Sequence, residues 1–270
     1  MNTWNAFERV LRHDRRVVVA ALLVVIGLSW SYILLGAGMD MTAWEMMRDS
    51  GGVEARGASM MQPMPWTFGY AVLMFAMWWI MMIAMMLPSA APMVLIFSAV
   101  NRRQREREAP YVRSSFFTLG YLACWASFSL LAVTVQWGLA RASLLSATLA
   151  STDAYLSAVI LMAAGLWQLT PLKHACLRHC RSPVHYITQH WRQGERGAFR
   201  MGVEHGIYCL GCCWFLMALL FYGGVMNLYW IMGLALYVLL EKTVPHGHWL
   251  GTIVGIGLVG GGAALIAGFL

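Results

Sequence analysis

Seven stretches of this chain are long and apolar enough to cross, or nearly cross, a lipid bilayer, and nothing else in the sequence restricts the fold as strongly. A hydrocarbon core about 30 Å thick is spanned by roughly 20 apolar residues in a helix. Inside it each backbone N–H and C=O must be satisfied within the protein. The stretches fall at 17–36, 68–87, 115–139, 155–169, 201–222, 225–240 and 250–269. The chain is 60% hydrophobic and only 11% charged, whereas roughly a quarter of the residues of a soluble domain carry charge. The expected fold is all-α: one domain, 1–270, forming a polytopic transmembrane helix bundle of about seven spans, or six to seven because two stretches are short.

Local features refine this outline. The second stretch runs past Pro88 and Pro92 to Val100, longer than a straight span needs, which predicts a kink or a broken helix there. The last carries glycines at small-xxx-small spacing, Gly251/Gly255 and Gly257/Gly261, the pattern of a helix-packing face. The first follows a basic segment and precedes small residues at 36–38. At about 20 residues it exceeds a cleavable signal core and is read as a retained anchor.

Orientation follows from the basic residues. With seven spans and a cytoplasmic N-terminus, the inner segments are 1–16, 101–114, 171–200 and 241–249. They hold 16 of the 19 Lys and Arg residues, leaving Arg48, Arg56 and Arg141 outside, as the positive-inside rule requires. The formal charge of +7 is therefore topological, and no nucleic acid partner is expected. The same topology places all eight histidines on the inner side, together with the cysteines. The outer loop, 37–67, bears methionine instead, in "MDM", "EMM" and "MMQPM". A bacterial inner (cytoplasmic) membrane is the expected location.

Three clusters carry chemistry. In "GVEHGIYCLGCCW", 202–214, a helical turn of 100° per residue puts Cys209 at about 40°, Cys212 at about −20° and Cys213 at about 80° from His205. His205, Cys209 and Cys212 thus share a stripe and can converge on one ion, since thiolate and imidazole are common ligands of soft and borderline metals. In "PLKHACLRHCRSP", 171–183, His174, Cys176, His179 and Cys180 lie in a basic inner loop, 171–200, near the mouth of that helix. Structural disulfides are disfavoured on a reducing inner face, which leaves metal binding or thiol chemistry. In "MFAMWWIMMIAMMLPSAAPM", 74–93, Met74, Met77, Met81 and Met85 fall within about 80° of one another, with Met82, Met86 and Met93 on the adjacent strip. Thioethers favour Cu(I), and methionine also packs irregular helix interfaces. Finally, "LLEK" sets Glu241 and Lys242 at the inner end of a span. Glu241 is a candidate proton or cation ligand, and Lys242 is expected to snorkel to the interface.

The stretches "MMIAMMLPSAAPM", "LWQLTPLKHACLRHCRSP", "GIYCLGCCWFLMALLFYGGVMNLYW" and "LLEK" resemble the uncharacterised bacterial family of predicted metal-binding integral membrane proteins (domain of unknown function 2182). The family pattern maps onto Pro88, Pro92, Lys173, Cys176, Cys180, Cys209, Cys212, Cys213, Glu241 and Lys242. The resemblance implies a metal-binding membrane protein and does not require His174 or His205.

The residues together lead to a soft-metal binding protein acting in transport or delivery, with Cu(I) as the first choice of ion and zinc the second. Methionines outside would collect the ion, Met77, Met81 and Met85 would pass it inward, and Cys176, Cys180, Cys209, Cys212 and Cys213 would hold it, with His174, His179, His205 and Glu241 as accessory candidates. Its partners would be the lipid bilayer, the metal ion, and a metallochaperone or membrane-complex partner. The same cysteines also suit a membrane thiol–disulfide oxidoreductase or redox sensor, or a non-catalytic membrane subunit. No phosphate-binding loop of the G-x-x-x-x-G-K-[ST] type is present, and no nucleophile, base and orienting group occur together as hydrolysis needs.

Overall fold

A computed structural model describes residues 3–37, 66–105, 114–146, 149–245 and 247–268, with the side chains of 3–14, 103–105 and 248 outside that description. The described chain is helical throughout apart from turns and one isolated bridge between Leu145 and Ser151. The helices are α1 (Thr3–Leu34), α2 (Phe68–Arg105), α3 (Ser114–Arg141), α4 (Ala154–Leu169), α5 (Pro171–Arg181), α6 (Pro183–His190), α7 (Gly194–Ala218), the single turn α8 (Leu220–Gly223), α9 (Leu228–Thr243) and α10 (Gly247–Ile266). The methionines at 39–64 lie outside the described residues.

Five segments are long and apolar enough to cross a membrane: Arg15–Leu34, Phe68–Arg102, Ser114–Arg141, Gly194–Gly223 and Trp249–Ile266. A sixth arises if α4 and α5, bent by 65° at their junction, count as one broken span. Helix α9, with 16 residues, is about 24 Å long, short of a full hydrocarbon core.

Of the kink or break expected at Pro88 and Pro92, the break does not occur: helix α2 continues through both, because each proline removes only one intrahelical donor while the flanking residues pack inside the bundle. The segment 171–200, expected as a loop between spans, folds into α5, α6 and the start of α7. Proline sets both breaks. A residue before proline is pushed out of the helical region, and Thr170, preceding Pro171, is extended (φ −75°, ψ 144°) and caps α5 by accepting from the Lys173 N–H. Ser182 leaves the helical region ahead of Pro183 in the same way. The bend at Thr170 turns α5 back against α7.

Close helix approaches depend on glycine. A Cβ on Gly206 of α7 would lie 2.6 Å from the Cys124 Cβ of α3, and one on Gly202 would press on the backbone of Phe117. In return, a Cβ on Gly120 of α3 would strike the backbone of Phe199 on α7. On α10, Gly251 and Gly255 face their neighbours, with a Cβ on Gly255 lying 2.8 Å from the Gln168 Cβ, whereas Gly257 and Gly261 face open space. Of the two small-residue pairs, one packs and the other points away from the bundle. Backbone-limited contacts do not relax as side-chain contacts do. Gly120→Val is therefore expected to cost at least about 1–3 kcal/mol, and Gly257→Val to be silent; thermal unfolding of the detergent-purified variants, followed by size exclusion, checks both.

Candidate metal centre

The three cysteines of α7 are buried at the centre of the bundle, Cys209 at 1% exposure and Cys212 and Cys213 at 0%. The Sγ–H groups of Cys212 and Cys213 donate to the Cys209 carbonyl at 3.0 Å and 2.9 Å, one helical turn back. The Cys213 sulfur also lies 3.9 Å from the Sδ of Met86 on α2. The fold-back of α5 against α7 brings a fourth thiol, Cys180, into the neighbourhood of Cys209 and Cys212. Cys176, one turn earlier on α5, sits over Gly211, where a Cβ would come within 2.9 Å of its sulfur. All six cysteines are free thiols.

Two polar groups meet the cluster. Lys242 of α9 places Nζ 3.0 Å from Cys209 Sγ and 3.2 Å from Ser89 Oγ. It is 8% exposed, so it turns inward rather than snorkelling as its position at a span's end suggested. A buried ammonium is costly without a compensating partner, and Cys209 is the sulfur that faces it. The Tyr121 hydroxyl lies 3.2 Å from the same sulfur and 3.3 Å from the Met86 carbonyl.

The accessory candidates lie elsewhere. His205 is buried among the rings of Phe117, Tyr121 and Tyr186, with centroids at 6.1, 5.7 and 5.8 Å, and its Nδ1 has no partner. Tyr121 stacks on its ring and meets Cys209 through its hydroxyl. His179 stacks on Tyr208 at 4.1 Å, with Nδ1 2.9 Å from the Ala175 carbonyl. Glu241 forms an ion pair with Lys173 and accepts from the Tyr237 hydroxyl at 3.2 Å; both members of the pair are buried. Tyr237 accepts in turn from Gln168 Nε2 at 2.6 Å. His174 has an interaction of its own. Met77, Met81 and Met85 face the bundle interior, all nearly inaccessible, and Met77 and Met81 line a small cavity with Met226, Ala37 and Ile231. No three His, Cys, Asp or Glu side chains among the described residues stand ready to hold a metal ion.

Sequence reasoning missed Met86 as a sulfur neighbour of Cys213, and Tyr121, Ser89 and Gln168 as polar neighbours. Met86 was visible as part of a methionine strip. The others gave no signal, because Tyr121 lies 88 residues from Cys209 and Ser89 lies 153 from Lys242.

The copper chaperone family PpoB2 matches the chain over residues 75–265, a stretch that contains all the cysteines and most of the buried methionines. The chain belongs to that family. No curated protein and no solved structure matches it.

Removing one member of a buried ion pair strands the other, at a cost of about 3–5 kcal/mol, whereas replacing both with apolar residues of similar volume is often neutral. Glu241→Ala should therefore lower the unfolding temperature sharply, and the double variant Lys173→Met/Glu241→Leu should restore most of it, as read by thermal unfolding in detergent.

Proposed function

We propose that this member of the copper chaperone family is a bacterial inner-membrane protein that binds Cu(I) and serves its transport or delivery. The observation that carries the reading is the set of three buried thiols on α7, Cys209, Cys212 and Cys213, beside the Met86 thioether, with Cys180 of α5 in their neighbourhood. Thiolate and thioether donors select soft ions, and the Met86 thioether, which is not among the usual ligands of zinc, puts Cu(I) first. The likeness of the cysteine, proline and lysine positions to the family of predicted metal-binding integral membrane proteins supports the same reading.

The thiols fit such an ion by chemistry. As free thiols Cys212 and Cys213 donate to the Cys209 carbonyl, and a bound ion would take the place of those protons. Cys176, beside Gly211, would join the set from α5, with His174, His179, His205 and Glu241 as accessory residues.

Methionines supply the approach. Met77 and Met81 border the cavity at the end of α1, and Met82, Met85 and Met86 continue along the buried side of α2. From Met77 to Met86 is nine residues, about 13 Å along the helix. In this reading the ion passes from the thioether side to the thiolate side, the orientation is N-terminus inside with about seven spans, and a metallochaperone or membrane-complex partner completes the route.

Elemental mass spectrometry of anaerobically purified protein tests the proposal. Wild type grown with added copper is expected to hold stoichiometric copper, and Cys209→Ser/Cys212→Ser to lose it. Absence of copper from both would sink the proposal.

A further inference from the structure

The cavity between the end of α1, the first half of α2 and the start of α9 is bordered by methionine from two distant parts of the chain. Met77 and Met81 come from α2, four residues apart and so on one face of the helix. Met226 comes from the turn that precedes α9. The remaining walls are Ile33, Gly36, Ala37, Val225 and Ile231. Among the described residues, no side-chain oxygen or nitrogen lines the cavity. Its volume is about 10 Å³, room for about one water-sized sphere.

The thioethers of α2 differ in what engages them. The Met74 sulfur accepts from Gln136 Nε2 at 3.4 Å, and the Met86 sulfur lies 3.9 Å from that of Cys213. Met77 and Met81, between these two, border the cavity instead. They are 3% and 2% exposed, whereas Met226 is half-buried and the most accessible of the three. The turn that carries Met226 is fixed at both ends. Gly224 has φ 92°, a left-handed conformation that glycine adopts at little cost. Its carbonyl accepts from the Asn227 N–H at 3.1 Å, and the Asn227 side chain caps α9 at the Trp230 N–H. The Trp230 indole N–H donates in turn to the Leu219 carbonyl at 2.7 Å.

Such a cavity selects among cations. A hard cation would give up its water and find no side-chain oxygen there in exchange, and a proton would find no base. A soft monovalent ion has a single charge to bury and bonds thioether sulfur directly.

We infer that Met77, Met81 and Met226 form a thioether-only site for a soft monovalent cation, separate from the thiols. The softness of the ion rests on the copper reading above; the site, and Met226 as one of its ligands, go beyond it. Five residues of α2, about 7.5 Å of helix, lie between Met81 and Met86, where the cysteines of α7 begin to meet α2. A thiol must lose its proton to bind a metal, so its affinity falls as the pH falls. A thioether has no proton to lose, and the site keeps its affinity under conditions that protonate thiols.

The test uses the full chain in detergent with isotope-labelled methionine methyls, titrated with Ag(I) in chloride-free buffer and followed by NMR. Met77→Leu, Met81→Leu and Met226→Leu, close in volume to the native side chain, assign the three signals. In wild type these signals are expected to shift together on one binding curve. In Cys209→Ser/Cys212→Ser they are expected to shift with the same affinity at about pH 5 and at about pH 7, because no proton competes for the ligands. Met226→Leu is expected to weaken the binding reported by Met77 and Met81 at least about tenfold. Three signals that stay in place while other methionines respond would overturn the inference, and would leave the copper reading standing where wild type still holds copper that the cysteine variant loses. Shifts that vanish in the cysteine variant, or binding that Met226→Leu leaves unchanged, would overturn it as well. Shifts of the three signals in a protein whose thiols take up no copper would uphold the site and remove the thiol part of the copper reading.

Discussion

Two ammonium groups buried in an apolar bundle must each find a partner inside it, and in this protein their side chains tie together the helices that form the thiol cluster. Lys173, on α5, reaches Glu241 on α9. The next residue, Lys242, reaches Cys209 on α7 and Ser89 on α2. Successive residues of a helix point about 100° apart, so Glu241 and Lys242 address different neighbours from one turn. Through them α9 links α5, α7 and α2, the three helices that contribute Cys180, the α7 cysteines and Met86. A buried charge is expensive unless paired, which makes the positions of these helices mutually dependent.

That arrangement is possible because the backbones come close enough. Gly202 and Gly206 let α7 lie against α3, and Gly251 on α10 leaves room for the Glu241 carboxylate and the Lys173 ammonium, where a Cβ would stand 2.6 Å and 3.2 Å away. The small-residue spacing of the last helix is thus part of the wall of a charged cluster as well as a packing face. The bend at Thr170–Pro171 contributes the remaining piece. It places Gln168 at the end of α4 and Lys173 at the start of α5 on the same polar network, through Tyr237 and Glu241.

The helical class and most of the helices were legible in the sequence because apolar length is a property of the chain alone. The stripe shared by Cys209 and Cys212 was legible for a similar reason, since it follows from helical period. What the period could not supply was the identity of the facing groups. His205 lies on the stripe, and Tyr121 from α3 meets both its ring and the Cys209 sulfur. Lys242 looked like an interfacial lysine because its partners come from helices 33 and 153 residues away. The segment 171–200 looked like a loop because its charge hid two helices whose boundaries are set by single prolines. Pro88 and Pro92, by contrast, lie within a continuous helix, so proline alone did not decide where a helix ends.

The thiols of the cluster are tied by the helix that carries them. A protonated thiol is a weak donor, and the Cys209 carbonyl, one turn back, is the acceptor within reach of both Cys212 and Cys213. The two protons are thus satisfied by the backbone of α7 itself, which leaves the Cys209 sulfur to the Lys242 ammonium and the Tyr121 hydroxyl. Of the three adjacent cysteines, Cys209 is therefore the one whose sulfur joins α7 to α9 and α3, while Cys213 meets α2 through Met86.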